Sequence, residues 1–311
     1  MFGLSRASLL PGWIACAPQG GHSALALVQP GAGGKPTVRW TLRVDWRAPA
    51  AALQKLRGRR ALHRHRCVAL LQRGQYQCVT MDAPAEVPRQ DWAAAVRWQL
   101  KDTVDFAVDS AAVDVLAVPT GHSYRSQPQL IAVAAADEQV RPLVEQGVDA
   151  GVPWQAIDVT ETALRNLSQL VESPGRAQAL LHCEAEHATL EVTCDGELLS
   201  ARQLDLALNL ADDADADQRQ QAYDQAGLEL QRTLDGIERA FGQVTLARLL
   251  ISPMPGAQAL CEHLTPLLYV PVALLQLESV IDFSAVPELL ANSTLLNQQL
   301  CAIGAALRDP A

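Results

Sequence analysis

Two short turns carry residues suited to holding a phosphate or a metal. The first is Ala17-Pro18-Gln19-Gly20-Gly21-His22, set between the apolar runs Trp13 to Ala17 and Ala24 to Val28. Glycines let backbone amides approach phosphate oxygens, so a Gly-rich hairpin tip is one way to hold a nucleotide. The plainer reading is a turn that needs positive φ. It is adopted because Pro18 removes an amide donor and the turn has no acid to organise a metal. The second turn is Cys183-Glu184-Ala185-Glu186-His187, whose two carboxylates would repel a triphosphate unless a cation came between them. His182, Glu184 and Glu186 alternate onto one strand face, Cys183 and His187 onto the other. That splits any ligand set, and no metal is expected. The run ADDADADQ, residues 211–218, resembles the start of a calcium loop, but Gln218 stands where Gly is required if the loop begins at Asp213, and no Glu closes it. It reads as a solvated loop whose Asp217 caps the next helix. Ser, His and Asp are present, yet no G-x-S-x-G brings a triad together.

Two similar runs of elements place these turns. After the opening hairpin, TVRWTLRVDW alternates so that Trp40, Leu42, Val44 and Trp46 share a face, completing a three-strand meander. A helix from Pro49 to Leu56 leads through a basic stretch to CVALLQ and QYQCVT, which read as a hairpin across Arg73-Gly74. Trp92, Val96 and Leu100 then recur at helical spacing, in a helix ending near Thr103. AAVDVLAV and QLIAVAAA read as strands, DEQVRPLVEQGVDAG as a helix with a Gly stop, WQAIDVT as a buried strand and ETALRNLSQLV as a helix. Ser173-Pro174-Gly175 punctuates the chain. A second meander follows, AQALLHCEA, HATLEVTC and ELLSARQL, with a hairpin signal at Asp195-Gly196. Next come a helix from Gln218 to Phe241, the strand LARLLIS, a helix near Ala257 to Leu264, the strand YVPVALL and a terminal helix from Val286 to Leu307. The order β-β-β-α-β-α-β-α therefore occurs twice, with an insertion around 73–128 in the first copy. The chain reads as two related α/β halves, 1–172 and 176–308.

Composition narrows the function classes. At 311 residues and 49% hydrophobic the chain can bury a large core, and no uncharged apolar stretch reaches the roughly 18 to 20 residues of a membrane helix. A net charge of −9 argues against general nucleic-acid affinity. A ribonuclease-H-type nuclease needs carboxylates on its central strands, and the opening strand has none. Seven scattered cysteines without a C-x-x-C pair fit reduced thiols in a cytoplasmic protein. Arg6 with ASLLPGWIACA has the outline of a short signal peptide, but Pro11-Gly12 splits the apolar run and the same residues serve as a first strand.

A meander followed by alternating helices and strands, present twice, is the layout of the actin-like ATPase fold, built from two ribonuclease-H-like lobes. The segment AAAVRWQLKDTVDFAVDSAAVDVLAVP, residues 93–119, resembles the type IV pilus assembly PilM-like family. The similarity is greatest to its MSHA-pilus, MshI-type branch, where a helix leads into a Phe/Pro-containing elbow and an Asp-rich strand. AIDVTETALRNL at 156–167, the Arg202-containing end of the second meander and AIGAALR at 302–308 agree with it. The resemblance implies a nucleotide cleft between the lobes, clamped by the first hairpin of each. It also implies an Asp-x-Gly in each hairpin and Gly-Gly after the penultimate strand. Neither hairpin keeps the Asp-x-Gly, and the adenine-side motif is Ser252-Pro253-Met254-Pro255-Gly256. Gly20, Gly21 and His22, with Glu184, Glu186 and His187 opposite and Pro253 and Gly256 beyond, are therefore expected to form a degenerate cleft with no catalytic residue and no cofactor.

The resemblance further implies a non-catalytic cytoplasmic scaffold at the inner face of the inner membrane. Its place would be in a pilus assembly platform, holding the cytoplasmic N-terminal tail of a PilN-like single-span protein. Two alternatives stay open, an ATPase that still binds ATP with Mg²⁺ in the cleft and a type II secretion cytoplasmic-domain homologue. Trp98 lies off the Trp92, Val96 and Leu100 stripe beside Arg97 and Lys101, with Phe106 just beyond. An aromatic flanked by cations is a candidate partner anchor, and packing against the inserted strands explains it equally well. The basic run KLRGRRALHRHR, residues 55–66, reads as a solvated helix end and loop, with docking on anionic lipid as the other reading.

Overall fold

Turn chemistry and apolar runs lay out the first sheet. In the computed structural model, which describes residues 9–120, 127–184, 187–206, 208 and 215–308, Gly20 takes φ +60° in the tight turn between β1 (Trp13–Gln19) and β2 (His22–Gln29). β3 (Thr37–Asp45) continues the meander, and its Trp40, Leu42 and Val44 pack beneath α1 (Pro49–Arg60), which starts on a proline that presets helical φ. β4 (Arg66–Leu70) runs parallel to β1. Then come β5 (Gln77–Asp82), α2 (Trp92–Leu100), β6 (Ala112–Ala117), β7 (Gln129–Ala135), α3 (Asp137–Asp149), β8 (Ala156–Asp158) and α4 (Thr160–Gln169). The second sheet begins with β9 (Ala177–Cys183), β10 (Ala188–Cys194) and β11 (Glu197–Leu204). It continues through α5 (Ala216–Ala240), β12 (Leu246–Ile251), α6 (Ala257–Leu264) and β13 (Val272–Leu274) to α7 (Glu288–Ala291) and α8 (Ser293–Ala306).

The strand orders are β3-β2-β1-β4-β8 and β11-β10-β9-β12-β13, the same topology twice, and β5-β7-β6 forms a third sheet inserted in the first lobe. The hairpin read across Arg73-Gly74 does not form. β4 is a central strand with β1 on one side and β8 on the other, so β5 pairs instead with β7, from Gln77–Ala134 to Asp82–Gln129. The signal misled because a fully buried parallel strand is a plain apolar run, here with a Gly turn after it. β7, read as a strand of the lobe, is the middle of the third sheet, which thus runs past residue 128. Its Leu130, Ala132 and Ala134 pack against Val96 and Leu100 of α2, and Ile131 on its other face joins the core of the second lobe.

The long terminal helix is two helices. Asn292 leaves helical φ/ψ at −137° and 101°, and its Oδ1 accepts from the Leu295 amide at 2.9 Å, starting α8 afresh. Asp215, rather than Asp217, caps α5, accepting from the Asp217 amide at 3.4 Å. The two lobes exchange helices. α8 lies on β1 and β2, α4 lies on β9 and β10, and the two helices cross at the centre. The crossing is tight at Gly304, where a Cβ would stand 2.2 Å from the Ala163 carbonyl oxygen. Asn166 Nδ2 donates to the Gly304 carbonyl at 3.0 Å beside it.

Candidate functional site

The two hairpin tips approach each other across α8. Gln19, at the first tip, donates from Nε2 to the Gln298 carbonyl at 3.0 Å, and the Gly21 carbonyl accepts from the Trp46 amide at 2.8 Å. His22 is exposed beside them. At the second tip the Glu184 amide donates to the His187 carbonyl at 2.8 Å, and Glu186 lies outside the described residues, as do residues 211–214 of the acidic run 211–218. Glu184 is held by Arg73, whose NH2 reaches Oε2 at 3.1 Å and the Thr189 hydroxyl at 2.6 Å. His187 Nδ1 stands 3.5 Å from Asp205.

Asn297 of α8 ties the second tip to the segment after β12. Its Nδ2 donates to the Cys183 carbonyl at 3.1 Å and to the Pro253 carbonyl at 2.7 Å. Gly256 opens α6 at φ +73°, where a Cβ would meet Tyr223 Oη at 2.8 Å, so its glycine is needed for the turn itself. Gln19 of the first tip, Cys183 of the second and Pro253 after β12 are thus each tied to α8, through Gln298 or Asn297.

Beneath the tips lies a polar layer that sequence reading missed. Thr189, Glu191 and Thr193 share one face of β10, toward α4. Thr193 bonds Ser168 of α4 at 2.8 Å, whereas both Glu191 oxygens are buried without a partner. Burial, then the charge of Glu161, pushes the Glu191 carboxyl well above the ordinary value, which favours its neutral form. Glu161 accepts from Tyr76 Oη at 2.7 Å, and burial raises that phenol as well. His182 is fully buried with Nδ1 3.3 Å from the Ser252 hydroxyl and Nε2 3.6 Å from Cys301 Sγ, and burial lowers its pKa. Burial also pushes the Cys183 thiol up to about 12, which removes it as a nucleophile at neutral pH. The available signal was Thr-Glu-Thr alternating on a strand otherwise reading as core.

α2 lies on the outer face of the third sheet. Trp98 is 77% exposed, with Lys101 Nζ 5.3 Å from its ring centre. Arg97 points inward, NH1 donating to the Val108 and Ala111 carbonyls at 2.7 and 2.6 Å, and Phe106 is half-buried in the α2 cluster. The structure therefore separates the four, with Trp98 and Lys101 on the surface and Arg97 and Phe106 closing the elbow. On the opposite side a cavity of about 420 Å³ lies between β6, β8 and α4, walled by Asp114, Leu116, Asp158, Arg165, Leu307 and Arg308. Arg308 closes one end on Asp158 at 2.6 Å, and β6 is an edge strand of its sheet.

No family model matches the chain, and no curated protein matches it. Among solved structures it is similar to a chain of a PilM-PilN type IV pilus biogenesis complex, with a TM-score of 0.72 and 18% identity over 96% of this chain and 99% of that one. It is also similar to a Bacteroides thetaiotaomicron protein of actin-like ATPase fold and unknown function, with a TM-score of 0.50 and 10% identity over 94% and 99%. With its twice-repeated sheet order, its exchanged helices and these likenesses, the chain has the actin-like ATPase fold, two ribonuclease-H-like lobes with an α/β insertion in the first.

Proposed function

We propose that the protein is a non-catalytic scaffold of a type IV pilus assembly platform, of the MSHA, MshI-type branch. In this reading it stands at the cytoplasmic face of the inner membrane and holds the N-terminal tail of a PilN-like single-span protein. The observation that carries the reading is the near end-to-end likeness to a chain of a PilM-PilN complex, and the segment 93–119 supports the branch. The cavity beside β6 suits an extended tail. β6 is an edge strand that can extend its sheet once the Val115 amide leaves Asp114 Oδ1, which it meets at 2.8 Å, while Leu116 and Leu307 offer apolar contact. The loss of nucleotide function is supported by Asn297, whose amide takes up two carbonyls between the hairpin and Pro253, and by Arg73, the cation beside the second tip, which Glu184 already neutralises. A tagged copy of the chain is expected to retain a PilN-like protein from detergent-solubilised membranes, and empty eluates would count against it. Calorimetry with ATP and Mg²⁺ tests the second part, where micromolar affinity with thermal stabilisation would overturn the non-catalytic reading.

A further inference from the structure

Charge is distributed very unevenly along this chain. Ten of its 25 Lys and Arg lie within residues 35–66, where the only acid is Asp45, so that segment carries +9 and the remainder −18. Asp45 is itself ion-paired to Arg47, which lowers the carboxyl's pKa. The fold gathers these residues at one corner, on β3, α1 and the turn that follows.

Arg47, Lys55, Arg59 and Arg60 are exposed and rim a groove of about 620 Å³ between α1 and β3, whose floor is made by Leu42, Val44 and the alanines of α1. Arg39 and Arg43 are exposed on the other face of β3, and Arg64 is exposed in the turn after α1. An apolar side chain lies next to this turn. The Leu10 amide donates to the Arg64 carbonyl at 2.7 Å, and the preceding Leu9 is 49% exposed. Arg57 is set apart, its guanidinium packed against Gly151 after α3, and Lys35 is tied to the Glu278 carbonyl at 2.8 Å.

We infer that this corner, α1 with the outer part of β3 and the Arg64 turn, is a docking surface for an anionic lipid bilayer. Charge complementarity selects an anionic occupant, and Arg47, Lys55, Arg59 and Arg60 rim the groove where α1 meets β3, an edge strand of its sheet, so a plane of phosphates can meet them from outside the edge. A peptide confined to the groove would leave Arg39, Arg43 and Arg64 unused. An exposed leucine beside the cations adds the apolar insertion that interfacial segments use. The inference does not rest on the proposed pilus role, since it follows from charge placement alone.

The test is sedimentation of the full chain with vesicles of phosphatidylcholine, alone or with about a third phosphatidylglycerol. Binding is expected only to the anionic vesicles, with release as salt is raised. Lys55→Glu with Arg59→Glu, both on exposed positions of α1, should weaken it by about tenfold or more, and Arg232→Glu on α5 should leave it unchanged. Equal binding to neutral vesicles, no binding to either, or indifference to the α1 reversals would overturn the inference. Retention on an immobilised acidic peptide without vesicle binding would likewise overturn it and assign the corner to an acidic protein.

Discussion

A carboxyl group lies at the centre of the molecule with no hydrogen-bond partner, and its consequences can be worked out from burial alone. Glu191 binds its proton more tightly in the fold than in the unfolded chain, where it titrates near 4.5. Its contribution to stability is therefore whole below that value and falls as pH rises toward the elevated folded-state value. Glu191→Gln should raise stability by about 1–2 kcal/mol near pH 8 and by less near pH 5, as read by urea denaturation at both. His182 acts in the opposite sense. Its lowered pKa gives stability above its ordinary 6.5 that is lost as pH falls below it. His182→Gln should accordingly flatten the acid side of the same profile. At this scale the sequence was partly legible. Pro18 and the missing acids of the first turn were plain, and so was the need for glycine at its tip, whereas the positive φ of Gly256 was not read. Arg73 and Asn297 were not, because their partners lie 111 and 114 residues away and no local spacing marks them.

Among the elements, the crossing of α4 and α8 carries the contact between the lobes. Gly304→Ala would place a methyl group 2.2 Å from a backbone oxygen, so the helices must separate. The expected cost is about 2–3 kcal/mol, visible as a lowered urea midpoint. Asn297→Ala should cost about as much, since it leaves two carbonyls between α8, β9 and Pro253 without a donor. The meanders, α5 and both halves of the topology could be read from alternation and turn residues, because β1–β3 and β9–β11 pair locally. The exchange of α4 and α8 could not. An amphipathic helix shows that it has an apolar face but not which sheet that face will meet. The same limit explains the false hairpin at Arg73-Gly74, where the true partner of β5 lies across the insertion.

On the scale of the whole molecule, the cavity beside β6 and the basic corner are two separate surfaces. The cavity beside β6 ends at Arg308, which with Arg66 flanks the Trp13 ring, at 5.9 and 5.7 Å from its centre. The central claim is that the chain holds the cytoplasmic tail of a PilN-like membrane protein. Calorimetric titration of the full chain with the synthetic tail peptide of such a protein, under reducing, low-salt conditions, tests it most directly. Saturable one-to-one binding of about micromolar affinity, unchanged by ATP and Mg²⁺, is expected. A titration without binding heat at any temperature, or binding that requires nucleotide, would contradict it.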